Sequence, residues 1–224
     1  MEITSLIFQK NNPKRVNLFV DGKFLIGISA ELVFTDKLKV GKVLNGEEVN
    51  DLVLKSLREI LLDSAFYFLS VRPRSQKEVE IRLKEKIAKI KFKSKEIFVD
   101  KLQIEKKISE VIDKLKNLGL VNDESFIKWW FNQRQEFRGK SLRAIKLELL
   151  QKGINEKLID EVLKNRDTSK NEAEMAMNLV AKRMPRWSGF DKKKIKEKIY
   201  AYLLPRGFDY ETIKTVIDTV WQKD

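Results

Sequence analysis

The sequence predicts a mainly α-helical protein: tandem three-helix repeats, about nine helices, behind a small N-terminal antiparallel β module. Three observations predict it. A unit of apolar helix end, basic turn and capped second helix occupies 65–86 (AFYFLSVRPRSQKEVEIRLKEK) and returns twice further on. The apolar positions of these units keep their order, and the length changes fall between helices, which is the signature of a repeat array. Residues 1–28 carry a different period, an alternation of two around an Asp-Gly pair.

Residues 1–55 read as a β module with a short helix. Ile3–Phe8 is one candidate strand, and Arg15–Val20 alternates Val16, Leu18 and Val20 against Asn17 and Phe19. Asp21-Gly22 between two apolar runs is a strong hairpin signal, with Phe24–Ile28 as its second strand. Asn11-Asn12-Pro13 is expected to form the preceding turn. Ser29 caps a short helix, and Gly46 to Leu69 is helical with an expected break near Asp51 or Ser56. A sheet this small needs something to pack on, so it reads as an accessory module.

Residues 56–121 form the first repeat. Pro73 disfavours helix at Arg72, so the chain turns there. Ser75 and Glu78 have capping-box spacing, and Val79, Leu83, Ile87 and Ile90 share one helical face. Asp100 and Gln103 cap the third helix in the same way, and Gly119 stops it. An insertion near 87–101 separates the two helices.

Residues 122–167 form the second repeat. Ala65, Leu69 and Arg72 match Ile127, Phe131 and Arg134 at an offset of 62, whereas Ser75, Val79 and Leu83 match Ser141, Ile145 and Leu149 at 66. The turn is therefore expected to be four residues longer here. Asn122 and Asn155 cap its first and third helices, and Gly153 ends the second. Trp129 and Trp130 are roughly 100° apart on a helix, so only one can face the core.

Residues 168–224 form the third repeat. Ser169 and Glu172 have capping-box spacing, and Pro185 to Phe190 is its long turn. Five lysines between Lys192 and Lys198 load the next helix, and Gly207 ends it. Phe208, Asp209 and Ile213 repeat the staple and cap of the second repeat.

Composition narrows the function. The 224 residues carry a formal charge of +13, with neither histidine nor cysteine. Missing cysteine excludes disulfides and zinc-thiolate sites, and missing histidine removes the commonest general base. No enzyme, cofactor or metal is expected. No apolar run is long enough to cross a membrane, and no signal peptide is visible, so a cytoplasmic protein is expected. Residues 1–55 hold 8 basic against 7 acidic side chains, and the remainder 38 against 26, so the repeats carry the basicity. A basic face of this kind suits a polyanion or an acidic protein surface.

The chain resembles the RecX family, bacterial regulators of the RecA recombinase. The resemblance lies in AFYFLSVRPRSQKEVEIRLKEK, ISEVIDKLKNLGLVNDESFIKWWFNQR and GKSLRAIKLELLQKGINEKLIDEVL, and it covers roughly 57–222. The opening sheet resembles an extension found on some members. The resemblance implies a curved array of three three-helix units, without catalytic residues, that docks in the groove of the RecA–DNA filament and lowers recombinase, ATPase and co-protease activity in DNA repair and the SOS response. A monomer is expected. Weak single- or double-stranded DNA binding goes with it. Position in the repeats and charge, not the family, select the candidate contacts: Arg72, Arg74, Arg134, Arg138, Lys140, Arg143, Arg183 and Arg186. The plain alternative for each is a solvated surface charge. A second function class is a basic helical nucleic-acid-binding protein without a RecA partner, which would need aromatics free to stack on bases.

Overall fold

The computed structural model describes residues 1–90, 99–164 and 172–222. Three strands open the chain: β1 (Ile3–Gln9), β2 (Asn12–Val20) and β3 (Lys23–Ser29), antiparallel in that order. Asp21 and Gly22 both take positive φ (48° and 76°), the pair of left-handed residues that a two-residue hairpin turn demands. Val16, Leu18 and Val20 are buried together on one face of β2. The register slips between Leu18 and Phe19, which pair with Ile26 and Phe24 and leave Leu25 without an opposite residue. That bulge lets the consecutive Leu25 and Ile26 both be buried, which a regular pleat forbids.

The first turn is shifted from the expected place. Lys10 and Asn11 make it, and Asn12 and Pro13 already belong to β2, with Gln9 opposite Asn12. β3 reaches only as far as Arg15, so Pro13 removes no ladder donor needed by that neighbour.

Helix α1 (Ala30–Thr35) starts at Ser29, whose hydroxyl accepts from Leu32 N. Helix α2 (Gly46–Val71) is unbroken over 26 residues. The expected interruption is absent because both polar residues are accommodated. Asp51 pairs with Lys55 one turn on at 2.8 Å, and the buried Ser56 donates to Gly27 O at 2.7 Å. Asn45 and Glu48 cap the helix reciprocally. Its first half (Val49, Leu52, Val53) packs under the sheet, and its second (Leu57, Leu61, Leu62, Ala65) joins another cluster. That second cluster is completed by α3 (Gln76–Lys89) and α4 (Lys101–Asn117), the latter started by the predicted Asp100–Gln103 capping box. Most of the insertion near 87–101 falls on 91–98, outside the described residues.

The fold divides into two compact units, residues 1–74 with 78–121, and 75–77 with 122–224. The second unit holds two more triplets. Helices α5 (Asp123–Arg138), α6 (Leu142–Gln151) and α7 (Glu156–Lys164) surround Phe126, Ile127, Trp130, Phe131, Ile145, Leu149 and Ile159. Trp130 is the core tryptophan, and Trp129 is half-buried against the same cluster. Helices α8 (Glu172–Ala181), α9 (Lys192–Leu203) and α10 (Tyr210–Gln222) surround Ala176, Val180, Ile199, Leu203, Phe208 and Ile213. Ser169 lies outside the described residues, and its expected partner Glu172 accepts instead from Leu142 N at 2.6 Å.

The four extra residues of the second repeat do not lengthen its turn. They extend α5 by one helical turn, from Arg134 to Arg138, after which Gly139 reverses the chain at φ 57°. Four residues are close to one turn, so the extension keeps the apolar face in phase. Gly139 and Gly207 seat the last two triplets on one another within this unit: Gly139 lies against Leu179 and Gly207 against Ala144, and Ser141 N donates to Arg206 O at 3.0 Å.

Candidate interaction surface

Each repeat folds its basic turn back on an aromatic ring. In the first, Arg74 stands 3.9 Å over the Phe68 ring and Arg82 approaches the same ring at 5.8 Å. In the second, Arg134 lies 4.0 Å over Trp130, and Lys152 is 4.6 Å from that ring. In the third, Arg206 and Arg183 lie 3.8 and 5.2 Å from the centre of Tyr202. A cation over a ring face is attracted by the ring quadrupole and shields apolar surface with its stem. The recurring basic residues therefore have a packing role inside each repeat.

Ion pairs reinforce it. Arg72 is forked onto Glu78, with NH2–Oε1 at 2.9 Å and NH1–Oε2 at 3.4 Å. Arg74 Nε faces Phe68 O at 3.4 Å, and burial, then the neighbouring Arg72 charge, lowers its pKa from the ordinary arginine value. Glu148 on α6 gathers three donors: Arg134 Nε at 2.7 Å and Trp130 Nε1 at 2.9 Å on one oxygen, and Lys140 on the other. Burial alone would raise the Glu148 pKa, but the hydrogen bonds from Lys140 and Arg134 outweigh it and hold the carboxyl below its usual value. By sequence proximity, Glu136 is the opposing acid of this turn. The one that meets Arg134 and Lys140 is Glu148, which approaches from the next helix.

Of the eight candidate contacts, Arg72, Arg74, Arg134, Lys140 and Arg183 are thus occupied within their own repeats. Arg138, Arg143 and Arg186 are exposed, and none of them is in an ion pair among the described residues. All three belong to the second unit. Arg138 sits in the last turn of α5. Arg143 opens α6, close enough to act on Asp209, whose carboxyl is held low first by the Thr212 hydrogen bonds and least by Arg143. Arg186 ends a 3-10 turn, Met184–Arg186. Phe137, 73% exposed, adjoins Arg138, and Leu147, 53% exposed, lies one turn after Arg143 on the same outer face of α6. Exposed guanidinium groups beside exposed apolar side chains are the composition that protein interfaces favour. Sequence spacing alone could not separate these three from the other five, because that required the acid and ring partners contributed by neighbouring helices.

Comparison with known proteins bears on the whole chain. Residues 1–45 match the family model described as the regulatory protein RecX N-terminal domain, 122–163 match the RecX second three-helix domain, and 171–217 match the third. The resemblance therefore takes in the opening sheet and the third repeat, beyond the stretches that carried it in the sequence. The regulatory protein RecX of Clostridioides difficile (strain 630) is 36% identical over 99% of this chain and 97% of its own length. That of Clostridium beijerinckii is 31% identical over 100% and 97%. A crystal structure of a regulatory protein RecX superposes with a TM-score of 0.60 at 21% identity, covering 97% of this chain and 98% of that one, a likeness of fold. RecX from Lactobacillus salivarius gives 0.56 at 28% identity, over 74% and 97%.

Proposed function

Because this chain belongs to the RecX family of regulatory proteins, we propose that it binds the RecA recombinase, or the filament RecA forms on DNA, and lowers its recombinase, ATPase and co-protease activity. The reading has no reaction of its own and needs no cofactor. The observation that carries it is the division of the basic residues. Five of the eight repeated cations are spent on internal rings and carboxylates, while Arg138, Arg143 and Arg186 remain open to solvent in the second unit. An assembled filament presents acidic protein surface together with bound DNA phosphates, so exposed arginines can orient the encounter and fix the register.

The monomer is the acting form in this reading, and the four divisions 1–55, 56–121, 122–167 and 168–224 are its building blocks. The test is direct. Purified chain is titrated into its own RecA on single-stranded DNA, and ATP hydrolysis is followed. A dose-dependent fall in the steady-state rate supports the proposal. An unchanged rate, with no retention of the chain on RecA filaments by co-sedimentation, rejects it.

A further inference from the structure

The third triplet gathers nearly all the sulfur in the chain. Cysteine is absent, and of the four methionines three, Met175, Met177 and Met184, fall between 175 and 184. Thioether sulfur is therefore the group in this sequence that is oxidised reversibly.

All three methionines sit at the margin of one core. On α8, Ala176 and Val180 are fully buried a turn apart, and Met175 and Met177 flank Ala176 at about 100° to either side. Both are half-buried and pack against the cluster that holds Ile199, Leu203, Phe208 and Ile213. Alanine at the centre of this face leaves the filling of space to its neighbours, a task that suits the unbranched methionine side chain. Met184 opens the 3-10 turn Met184–Arg186 and is half-buried against the same cluster. Its carbonyl accepts from Trp187 N at 2.8 Å, and the Trp187 ring meets Tyr202 edge to face at 5.9 Å.

The repeat itself does not demand sulfur. Ala176 and Val180 stand where α5 has Ile127 and Phe131, so Met175, Met177 and Met184 occupy the places of Phe126, Lys128 and Gln135. Two of the three also adjoin features that shape the surface of this unit. Met175 lines a cleft of about 380 Å³ with Leu179, Gln135, Glu136 and Gly139, at the seam where Gly139 lies against Leu179. Met184 begins the turn that the exposed Arg186 ends.

We propose that Met175, Met177 and Met184 form a reversible oxidation switch for the third triplet, thrown by hydrogen peroxide or another hydroperoxide. In each step an S–O bond forms and the O–O bond breaks. With hydrogen peroxide, the proton on the transferred oxygen passes to the departing hydroxide, and water leaves. The sulfur loses two electrons, and the peroxide is reduced. Half-exposure lets the oxidant reach the sulfur, and half-burial makes the product felt. A sulfoxide is polar, and burying its oxygen in an apolar cluster without a donor is costly. The oxidised α8 and the turn after it therefore loosen from Ile199 and Leu203, and Arg186 loses its fixed place. The switch acts on the fold of this triplet and does not rest on the recombinase reading.

The test uses the full chain alone. It is treated with hydrogen peroxide, the sites are mapped by peptide mass spectrometry, and folding is followed by near-ultraviolet circular dichroism and thermal melting. Each of the three methionines should gain one oxygen while the helical signal persists, and Tm should fall by about 2–4 °C or more. The two methionine sulfoxide reductases, one for each epimer, should restore the original melt. Met175→Leu with Met177→Leu and Met184→Leu keeps apolar side chains of similar volume, so this variant should fold and hold its Tm within about 1 °C under the same peroxide. If the triple change unsettles the helix, Met175→Leu and Met184→Leu made singly should each remove part of the peroxide effect. Four results overturn the proposal: oxygen confined to Met1, oxygen on the three methionines with an unchanged melt, a loss that the reductases do not reverse, or an equal loss in the leucine variant, which would place the damage on other side chains.

Discussion

Arg134 donates from Nε to Oε2 of Glu148 at 2.7 Å, and this pair holds the end of α5 against the middle of α6. The carboxylate is only 20% exposed and also accepts from Trp130 Nε1 and pairs with Lys140. Glutamine in its place keeps one neutral acceptor oxygen but sets an NH2 group, itself a donor, among Arg134, Trp130 and Lys140. Glu148→Gln is expected to destabilise the protein by about 1–3 kcal/mol at neutral pH, read from urea unfolding midpoints.

The same carboxylate predicts an acid-limb effect. Its folded pKa lies below its unfolded one, so its contribution is complete above the unfolded value, near 4.3, and is lost as pH falls through the folded value. The stability difference between the unaltered protein and Glu148→Gln should therefore be constant from pH 7 to about 5 and shrink below about 4. A difference that stays constant to pH 3 would show that the carboxylate gains nothing from its neighbours.

Two glycines separate backbone strain from crowding. Gly119 and Gly207 both take positive φ, 70° and 90°, but a Cβ on Gly119 would meet nothing, whereas one on Gly207 would sit 2.5 Å from Ala144 Cβ. Gly119→Ala should cost about 1 kcal/mol, the left-handed penalty alone. Gly207→Ala should cost at least about 2 kcal/mol, because α6 must also move away from the turn it packs on. Equal losses in urea melts would mean that the second unit yields freely at that point.

The repeats are legible because their signals are local or periodic. Apolar spacing places Val79, Leu83, Ile145, Leu149 and Ile159 in the core, and single polar residues mark starts at Asp100, Asn122 and Asn155. The Asp-Gly turn is legible for the same reason. Phase is harder. A four-residue insertion can lengthen a loop or add a helical turn, and only packing against α6 and α7 selects the turn added to α5. Ser56 suggests a break because its hydroxyl competes with helix in isolation. The acceptor at Gly27 that removes the conflict lies 29 positions earlier. The candidate contacts are the least legible. A basic residue after each first helix is visible in the sequence, but the pairing of Arg134 with Glu148, or of Arg183 with Tyr202, depends on how later helices return.

The opening sheet is part of the first unit's packing. Val49, Leu52 and Val53 of α2 are buried beneath it, and Ser56 donates into it. Deleting residues 1–45 uncovers three apolar side chains, each of which contributes roughly 1.5–3 kcal/mol when buried. The truncated chain should keep most of its helical circular dichroism, since the other three clusters are built without the sheet. It should also melt earlier and self-associate, as light scattering would detect. Loss of most of the helical signal would show instead that α2 cannot form unless the sheet covers it.

The last prediction separates the two classes of arginine. Arg138, Arg143 and Arg186 are exposed and without ion pairs among the described residues, so their joint change to alanine should shift folding by no more than about 0.5 kcal/mol each. If they meet the recombinase filament, inhibition of its DNA-dependent ATP hydrolysis should weaken at least several-fold, because charges at a docked surface count for more than charges in water. Residual inhibition should then depend less steeply on salt than that of the unaltered chain, since exposed charges are screened beyond about 10 Å at 0.1 M. Arg134→Ala is the contrasting change: it should lower the melting temperature through Glu148 and Trp130 while affecting inhibition only as far as the fold suffers. Lys10, Lys23 and Lys39 changed together to alanine match the lost charge on exposed positions of the first unit. If that control weakens inhibition as much as the arginine triple does, bulk charge governs docking. If neither triple acts, the filament meets a different face of the repeats.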